Sequence, residues 1–149
     1  MYLTRHADYT MRLLIHLAVQ PEGAATIREI AEHYGISRNH LMKVANHATR
    51  EGYVTGVRGR AGGLRLAKRA DELNVGQILR TAEDWNLVEC FEKSSNQCRI
   101  TRACGLQAIL KEAVDAFLAV LDRYSLEDVV RRKPALVRLL GLQSALKSA

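Results

Sequence analysis

Three cysteines, Cys90, Cys98 and Cys104, lie within one stretch of fifteen residues, and the rest of the 149-residue chain has none. Seven residues separate the first pair and five separate the second. Thiolates that are close in sequence on a loop can converge on one soft metal centre without rearranging the rest of a fold. The residues between the cysteines are too polar for a core strand or helix. The spacing therefore predicts a metal-based sensor on a loop.

The spacing favours one metal chemistry over another. Structural zinc sites usually pair cysteines about two to four residues apart, whereas iron-sulfur clusters accept wider and less regular thiolate spacing. Three inert buried thiols are the alternative to a metal site. A fourth ligand is missing locally, because no histidine lies beyond residue 47. It would come from solvent, from a small molecule, or from one of these residues of the first half: His6, Asp8, His16, His33, His40 and His47.

Positive charge is concentrated in residues 37–69. This segment has eight Arg or Lys residues and one acidic residue, Glu51, which gives +7 in a chain whose formal net charge is +6. From residue 81 onward, ten basic and nine acidic residues nearly balance. A partner of high negative charge density, such as nucleic acid, is therefore expected for the first half only.

The first half has the pattern of a helix-turn-helix. Apolar residues at spacings of three and four predict a helix over Thr4–Val19 that Pro21 and Gly23 stop. A second helix should follow Thr26 as its cap and end at Gly35. A third helix, capped by Ser37, should run to Gly52. Two helices joined by a tight turn at Gly35 form the motif.

A predicted β-hairpin follows the third helix at once, over residues 53–67, with a basic, glycine-rich tip. The combination indicates a winged helix, in which the third helix enters the major groove and the wing approaches phosphates. A solvated structural element is the alternative, and Asn39 and His40 could serve only as capping residues. The predicted DNA-binding residues are Thr26, Ser37, Arg38, Asn39, His40, Lys43, Arg58, Arg60 and Gly62.

The second half is predicted to be helical around the cysteine loop. A fourth helix should start near Asn74, and a long helix with a wide apolar stripe should start at Cys104. Ser125 should cap a short helix, and Pro134 should begin a weakly patterned tail. The stripe is wider than one interface needs, so we expect the long helix to pair two protomers, with a monomer core helix as the alternative. A homodimer would read palindromic double-stranded DNA.

Several function classes are excluded or disfavoured. No early apolar run resembles a signal peptide or a membrane span, so the protein is expected to be cytoplasmic with no membrane partner. The chain has no nucleophile–base pattern, nucleotide-binding glycine loop or CxxC motif, so we expect no enzyme activity. A zinc-stabilised adaptor that binds protein is a remaining alternative.

These motifs together resemble the family of iron-sulfur repressors typified by NsrR and IscR. The similarity includes Ser37–Lys43, the wing Val57–Leu66, and three cysteines before a long helix, and it extends from residue 2 to residue 129. Residues 52–55 and 98–104 are most similar to the nitric-oxide-responsive NsrR group. The seven-residue gap after Cys90 is similar to that of rhizobial iron-responsive repressors, and Gln107 stands where IscR-like sequences have a histidine.

The resemblance implies a homodimeric transcriptional repressor that releases operator DNA when nitric oxide nitrosylates its cluster, with iron or redox sensing as the alternative. It implies that Cys90, Cys98 and Cys104 bind the cluster, with Asp8 of the same or of the partner subunit as an acidic fourth ligand. The cluster is expected to be 4Fe-4S, with 2Fe-2S as the alternative. The expected fold is mainly α with a small β-hairpin: a winged helix over 1–83, a cluster loop over 84–104, and a dimerisation helix with a tail over 105–149.

Overall fold

The computed structural model describes residues 2–20, 23–59 and 62–142. The first helix, α1, spans Arg5–Val19, and the Thr4 side chain caps it by accepting the Ala7 amide. This confirms the predicted helix and its end, while Pro21 lies outside the described residues. The described residues are mainly helical with one two-stranded antiparallel hairpin, as the sequence predicted.

The next two helices form the predicted helix-turn-helix. Helix α2 spans Ile27–Tyr34, and helix α3 spans Arg38–Arg50. Gly35 ends α2 in the left-handed region at φ 62°, where its amide donates to carbonyls of the last turn. Only glycine adopts this conformation without a steric penalty, so the sharp turn between the two helices depends on it.

The wing is a hairpin of strand β1, Val54–Val57, and strand β2, Gly63–Leu66. They pair antiparallel, with Val54 opposite Leu66. Leu64 of β2 also exchanges two backbone hydrogen bonds with Ala25, at 2.8 and 3.0 Å. A Cβ atom at Gly63 would lie 2.6 Å from the Ala25 carbonyl oxygen, so the close approach of the two segments requires glycine there.

The second half contains four further helices among the described residues. They are α4 Val75–Ala82, α5 Leu106–Leu121, α6 Leu126–Val129 and α7 Lys133–Leu139, and single 3-10 turns occupy Ala70–Glu72 and Glu89–Phe91. Helix α5 is the longest, at 16 residues. Neither it nor any other described helix is long and apolar enough to cross a membrane.

Two boundaries differ from the prediction. Helix α5 begins at Leu106 and not at Cys104, because the chain is still in a turn up to Gly105, so Cys104 belongs to the preceding loop. Pro134 does not begin an irregular tail, because it occupies the first turn of α7. Proline is tolerated there because the first helical amides have no partner within the helix.

Helix α1 is at the centre of the packing. Its buried residues Leu13, Leu14 and Leu17 share one core with α2, α3, the wing and Leu126 of α6. Ala7, one turn from its start, packs with Val75 and Leu79 of α4. A third cluster around Val19 includes Val130 and Leu142 and attaches α7. The fold is thus arranged around one helix.

One histidine is buried in this helix. His16 is 0% exposed, and its Nε2 shares a hydrogen bond of 2.9 Å with Nδ1 of the exposed His33 on α2. Burial, with the nearby His33 as a smaller cause, lowers the pKa of His16 from 6.5 to about 4. His16 is therefore neutral in the folded protein at neutral pH.

This histidine makes stability depend on pH. The unfolded chain binds a proton at His16 below pH 6.5 while the folded chain does not, so stability falls as pH drops from 6.5 to 4, by up to about 3 kcal/mol. We predict that His16→Gln flattens this loss in urea titrations between pH 7 and pH 4.5. His33→Gln, which can still accept from His16, is the control and should keep most of the slope. An unchanged slope in His16→Gln would contradict the assignment.

Candidate DNA interface and thiol cavity

The outer face of α3 is polar and basic. Arg38, Asn39 and Lys43 are exposed on it, whereas Leu41, Val44, Ala45 and Ala48 are buried against the core. Arg38, Lys43 and the wing residue Arg58 have no salt-bridge partner within the described part of the chain. Cations without an acidic partner on one exposed face form a suitable surface for phosphates.

Helical spacing adds one residue that the sequence prediction missed. Asn46 is exposed one turn after Lys43 and two turns after Asn39, so the three side chains follow one face of α3. Its asparagine side chain has the donor and acceptor that can read adenine in the major groove. The i, i+4, i+7 spacing of Asn39, Lys43 and Asn46 could have identified it.

Two other predicted contact residues are partly engaged within the protein. His40 is half-buried, with its ring 4.8 Å from the Tyr9 ring of α1 in an edge-to-face contact. The Thr26 hydroxyl donates to the Glu29 carboxylate at 2.8 Å and accepts the Glu29 amide at 3.2 Å in a capping box. The hydrogen bond from the Thr26 amide also lowers the pKa of Glu29. The ring contact of His40 and the capping box of Thr26 therefore also stabilise the fold.

Ser37 precedes α3 as predicted, but its side chain makes no capping hydrogen bond. This part of the prediction was wrong. The residue is exposed, and it directly precedes the helix that carries Arg38 and Asn39. A hydroxyl at this position can donate to a phosphate oxygen.

At the wing tip, Arg58 is exposed and Gly62 is half-buried, and the Gly62 amide donates to the Gly59 carbonyl at 2.9 Å. A Cβ atom at Gly62 would lie 2.9 Å from that carbonyl oxygen. The close approach of these two backbone segments therefore leaves no room for a side chain at Gly62. Arg60, the other predicted cation of the tip, lies outside the described residues.

The three thiols line a single cavity of about 210 Å³. Cys90 lies in the Glu89–Phe91 turn, Cys98 lies in the exposed loop, and Cys104 lies just before α5. All three are free thiols. The other lining residues are Val88, Glu89, Ile100, Thr101, Leu106 and Gln107.

Hydrogen bonds shape the thiol loop. The Asn96 side-chain oxygen accepts the Cys98 amide at 2.9 Å, and the Thr101 hydroxyl donates to the Cys98 carbonyl at 2.8 Å. The Gln107 side chain donates to the Cys90 carbonyl at 2.7 Å. The loop thus brings together three cysteines that the sequence separates by seven and five residues.

The structure does not place the predicted fourth ligand in this cavity. The Asp8 carboxylate pairs with Arg12 on the same helix, at 2.9 Å and 3.1 Å. None of the five histidines lines the cavity either. Among the described residues, no group of three or more His, Cys, Asp or Glu side chains is positioned to hold a single metal ion.

The donor set nevertheless fits a cluster better than a lone ion. Three thiols on one cavity supply soft ligands of the kind that iron-sulfur clusters use. In a 4Fe-4S cluster the three thiolates would bind three different irons, whereas around a lone ion all three would bind the same metal. One iron would then take its remaining ligand from outside this cavity.

The chain is similar to known transcriptional regulators. Residues 3–132 match the family model of Rrf2, described as an iron-dependent transcriptional regulator. The HTH-type transcriptional regulator NsrR of Bacillus subtilis (strain 168) is 46% identical over 145 residues, which cover 96% of this chain and 99% of that protein. The regulator of the same name from Bacillus licheniformis is 43% identical over 143 residues, covering 95% of this chain and all of that protein.

Solved structures show the same fold. CymR (YrzC), the global cysteine regulator of B. subtilis, has a TM-score of 0.65 and 25% identity, covering 89% of this chain and 98% of that chain. T. potens IscR has a TM-score of 0.69 and 23% identity, covering 89% and 88%. The matched family consists of regulators, which confirms that the chain is not an enzyme. The chain belongs to the Rrf2 family of transcriptional regulators, whose members act by binding DNA.

Proposed function

We propose that this protein is a homodimeric repressor that reads a palindromic operator and senses nitric oxide through an iron-sulfur cluster. The observation that supports it most is that one chain combines a basic reading face with three cysteines that line one cavity. The reading face consists of Arg38, Asn39, Lys43 and Asn46 of α3 and Arg58 of the wing, and its cations have no acidic partner in the part of the chain that the structure describes. The two relatives named NsrR support the nitric oxide signal. The family description as iron-dependent supports iron sensing as the second candidate.

In this proposal the α3 face and the wing bind one half-site. Asn39 and Asn46 would contact base edges from the major groove, while Arg38, Lys43, Arg58 and Arg60 would bind phosphates. Thr26, Ser37, His40 and Gly62 complete the proposed contact set. His40 would reach DNA from its place against Tyr9, so its contact depends on how α1 and α3 pack.

Cys90, Cys98 and Cys104 would hold the cluster, with Asp8 of a second copy as the fourth ligand. A 4Fe-4S cluster fits three thiolates and one carboxylate, with 2Fe-2S as the alternative. When bound, the cluster supplies an iron whose non-thiolate ligand nitric oxide can replace. The chain's own part is to hold the thiols on one cavity and to connect that cavity, through α4 and α5, with α1.

Helix α5 is the proposed dimer seam. Only Val114 and Leu118 are buried on it, whereas Ile109 is 63% exposed and Leu106 is 50% exposed. Beside it lies an open, mainly apolar groove of about 720 Å³ that includes Trp85 and Phe91. A large exposed apolar surface of this kind marks an interaction site. We propose that a second copy covers it.

We also propose three functional segments: DNA reading over 1–83, cluster binding over 84–104, and dimerisation over 105–149. They are not independently packed units, because Leu126 of the last segment lies in the same core as Leu13 and Leu41 of the first. A signal in one segment can therefore reach the others through side-chain packing.

The DNA assignment predicts the effect of Arg58→Ala. Loss of one phosphate contact should weaken binding to operator and random DNA alike, and should reduce the slope of log K against log salt by about one unit. Fluorescence anisotropy at several salt concentrations measures both. Arg138→Ala on α7, exposed and outside the reading face, is the control. A loss confined to the operator would contradict a phosphate contact.

The cofactor assignment predicts the effect of replacing each cysteine with serine. Protein purified without oxygen should be brown, with thiolate-to-iron absorption that each of the three replacements reduces strongly, while Ser95→Ala in the same loop keeps it. Native mass spectrometry gives the cluster composition. A colourless, iron-free wild type under these conditions would refute the cluster. Release of operator DNA by nitric oxide before iron depletion selects the nitric oxide signal, and the reverse order selects iron.

The dimer assignment predicts that Ile109→Glu weakens self-association. A charged carboxylate in an apolar seam removes about 2 kcal/mol of apolar burial per protomer, or about 4 kcal/mol per dimer, so the dimer dissociation constant should rise by roughly a thousandfold. Sedimentation equilibrium measures the change, and Arg138→Glu is the control. Because Ile109 is 63% exposed, circular dichroism of the variant should stay that of the wild type. An unchanged dimer would place the seam elsewhere.

A further inference from the structure

We infer that Glu89 and Gln107 are positioning residues that hold the three thiols on one cavity before any cluster is bound. The inference rests on the proposed function, since it assigns the cavity to a cluster. It concerns the cluster-free chain, whose loop geometry is visible in the structure. Neither residue is proposed as an iron ligand.

The cysteine-bearing part of the loop needs such residues because apolar packing holds only its start, where Trp85 packs on the cluster between α1 and α4. No residue from 86 to 104 is buried, whereas Ala82 before the loop and Val114 after it are. A segment without buried side chains opens at little cost. Its shape must therefore come from hydrogen bonds, and those between residues distant in sequence reduce its freedom most.

Glu89 closes the loop between the first two cysteines. It directly precedes Cys90, and its carboxylate accepts the backbone amide of Gln97, which directly precedes Cys98. An ionised acceptor makes this hydrogen bond stronger than one between neutral groups. One contact thus brings together two thiols that seven residues separate in the chain.

Gln107 connects the same turn to the third cysteine. It lies in the first turn of α5, and its side-chain amide donates to the Cys90 carbonyl at 2.7 Å. Cys104 lies three residues before Gln107, and its backbone amide donates a hydrogen bond of 2.9 Å to the Ile100 carbonyl, which fixes its position. Cys90 therefore has one connection towards Cys98 and another towards Cys104.

The contacts favour positioning over ligation. Glu89 and Gln107 both line the cavity, but each uses its polar group on a backbone partner. The other side-chain hydrogen bonds of the loop are local: Asp84 and Glu92 each accept from the residue two positions later, and the bonds of Asn96 and Thr101 stay within residues 96–101. Removing either of the two long-range contacts should therefore separate a thiol from the cavity without changing the fold outside the loop.

Glu89 is tested with a pair of variants and a matched control. Glu89→Ala removes the acceptor, whereas Glu89→Gln keeps a carbonyl oxygen and removes the charge. Glu92→Ala is the control, because Glu92 is an exposed carboxylate of the same loop that accepts from Ser94 and does not line the cavity. Amide hydrogen exchange at Gln97 is measured in cluster-free protein, and iron release to a chelator is measured in loaded protein.

We expect Glu89→Ala to speed exchange at the Gln97 amide by about tenfold and to speed iron release several-fold. Glu89→Gln should remain within about threefold of the wild type in both, and Glu92→Ala should leave both unchanged. Gln107→Glu, similar in size but unable to donate to the Cys90 carbonyl when ionised, should speed iron release while the Gln97 amide stays protected.

The outcomes separate this inference from the proposed function. If wild-type protein binds no cluster, the proposed function fails, while the Gln97 exchange result still decides the role of Glu89 in the loop. Unchanged exchange and unchanged iron release in Glu89→Ala would overturn the inference. Rapid iron release in both Glu89 variants, with Gln97 exchange as in the wild type, would overturn it too, because the carboxylate would then be a ligand.

Discussion

The structure depends on the burial of α1 between the helix-turn-helix and the helices of the second half. This helix contacts α3, α4, α6, α7 and strand β2, and Leu13, Leu14 and Val19 on it are completely buried. Each such side chain contributes about 1.5–3 kcal/mol, whereas an exposed ion pair such as Asp8–Arg12 contributes about 0–1 kcal/mol. Apolar packing against α1 therefore determines the positions of α3 and α4.

This arrangement links the thiol cavity with the reading face. The loop that contains the cysteines joins α4 to α5, which pack on each other, and its first residues are held by Trp85, which packs on the cluster between α1 and α4. Helix α4 in turn packs on α1 through Ala7, next to the proposed ligand Asp8. Close-packed protein interiors transmit displacements rather than absorb them. A change at the thiols can thus reach α3 through two helix contacts.

Local signals explain why much of the fold was predictable. Side chains that cap helices confirm three predicted starts, at Thr26, Asn74 and Ser125. Helix α7 was missed because it is only seven residues long and gains its stability from packing on Val19. The sequence predicted that the thiols converge, but it did not predict which contacts hold them together. The hydrogen bonds of Glu89 and Gln107 join residues eight or more positions apart, and no local pattern indicates such pairs. The exposed stripe of α5 fits the sequence expectation, and its covering partner remains a proposal.

The close backbone approach at Gly63 has a consequence for regulation. Because Leu64 exchanges hydrogen bonds with Ala25, the wing is fixed to the segment that leads into α2. The wing therefore cannot move independently of the helix-turn-helix, so each protomer presents α3 and the wing to DNA at a fixed distance from each other. In a two-fold assembly, the quantity that can change is then the relative position of the two rigid protomers. Both protomers bind only when this position matches the helical repeat of DNA, so a change in it determines whether the dimer stays bound or dissociates.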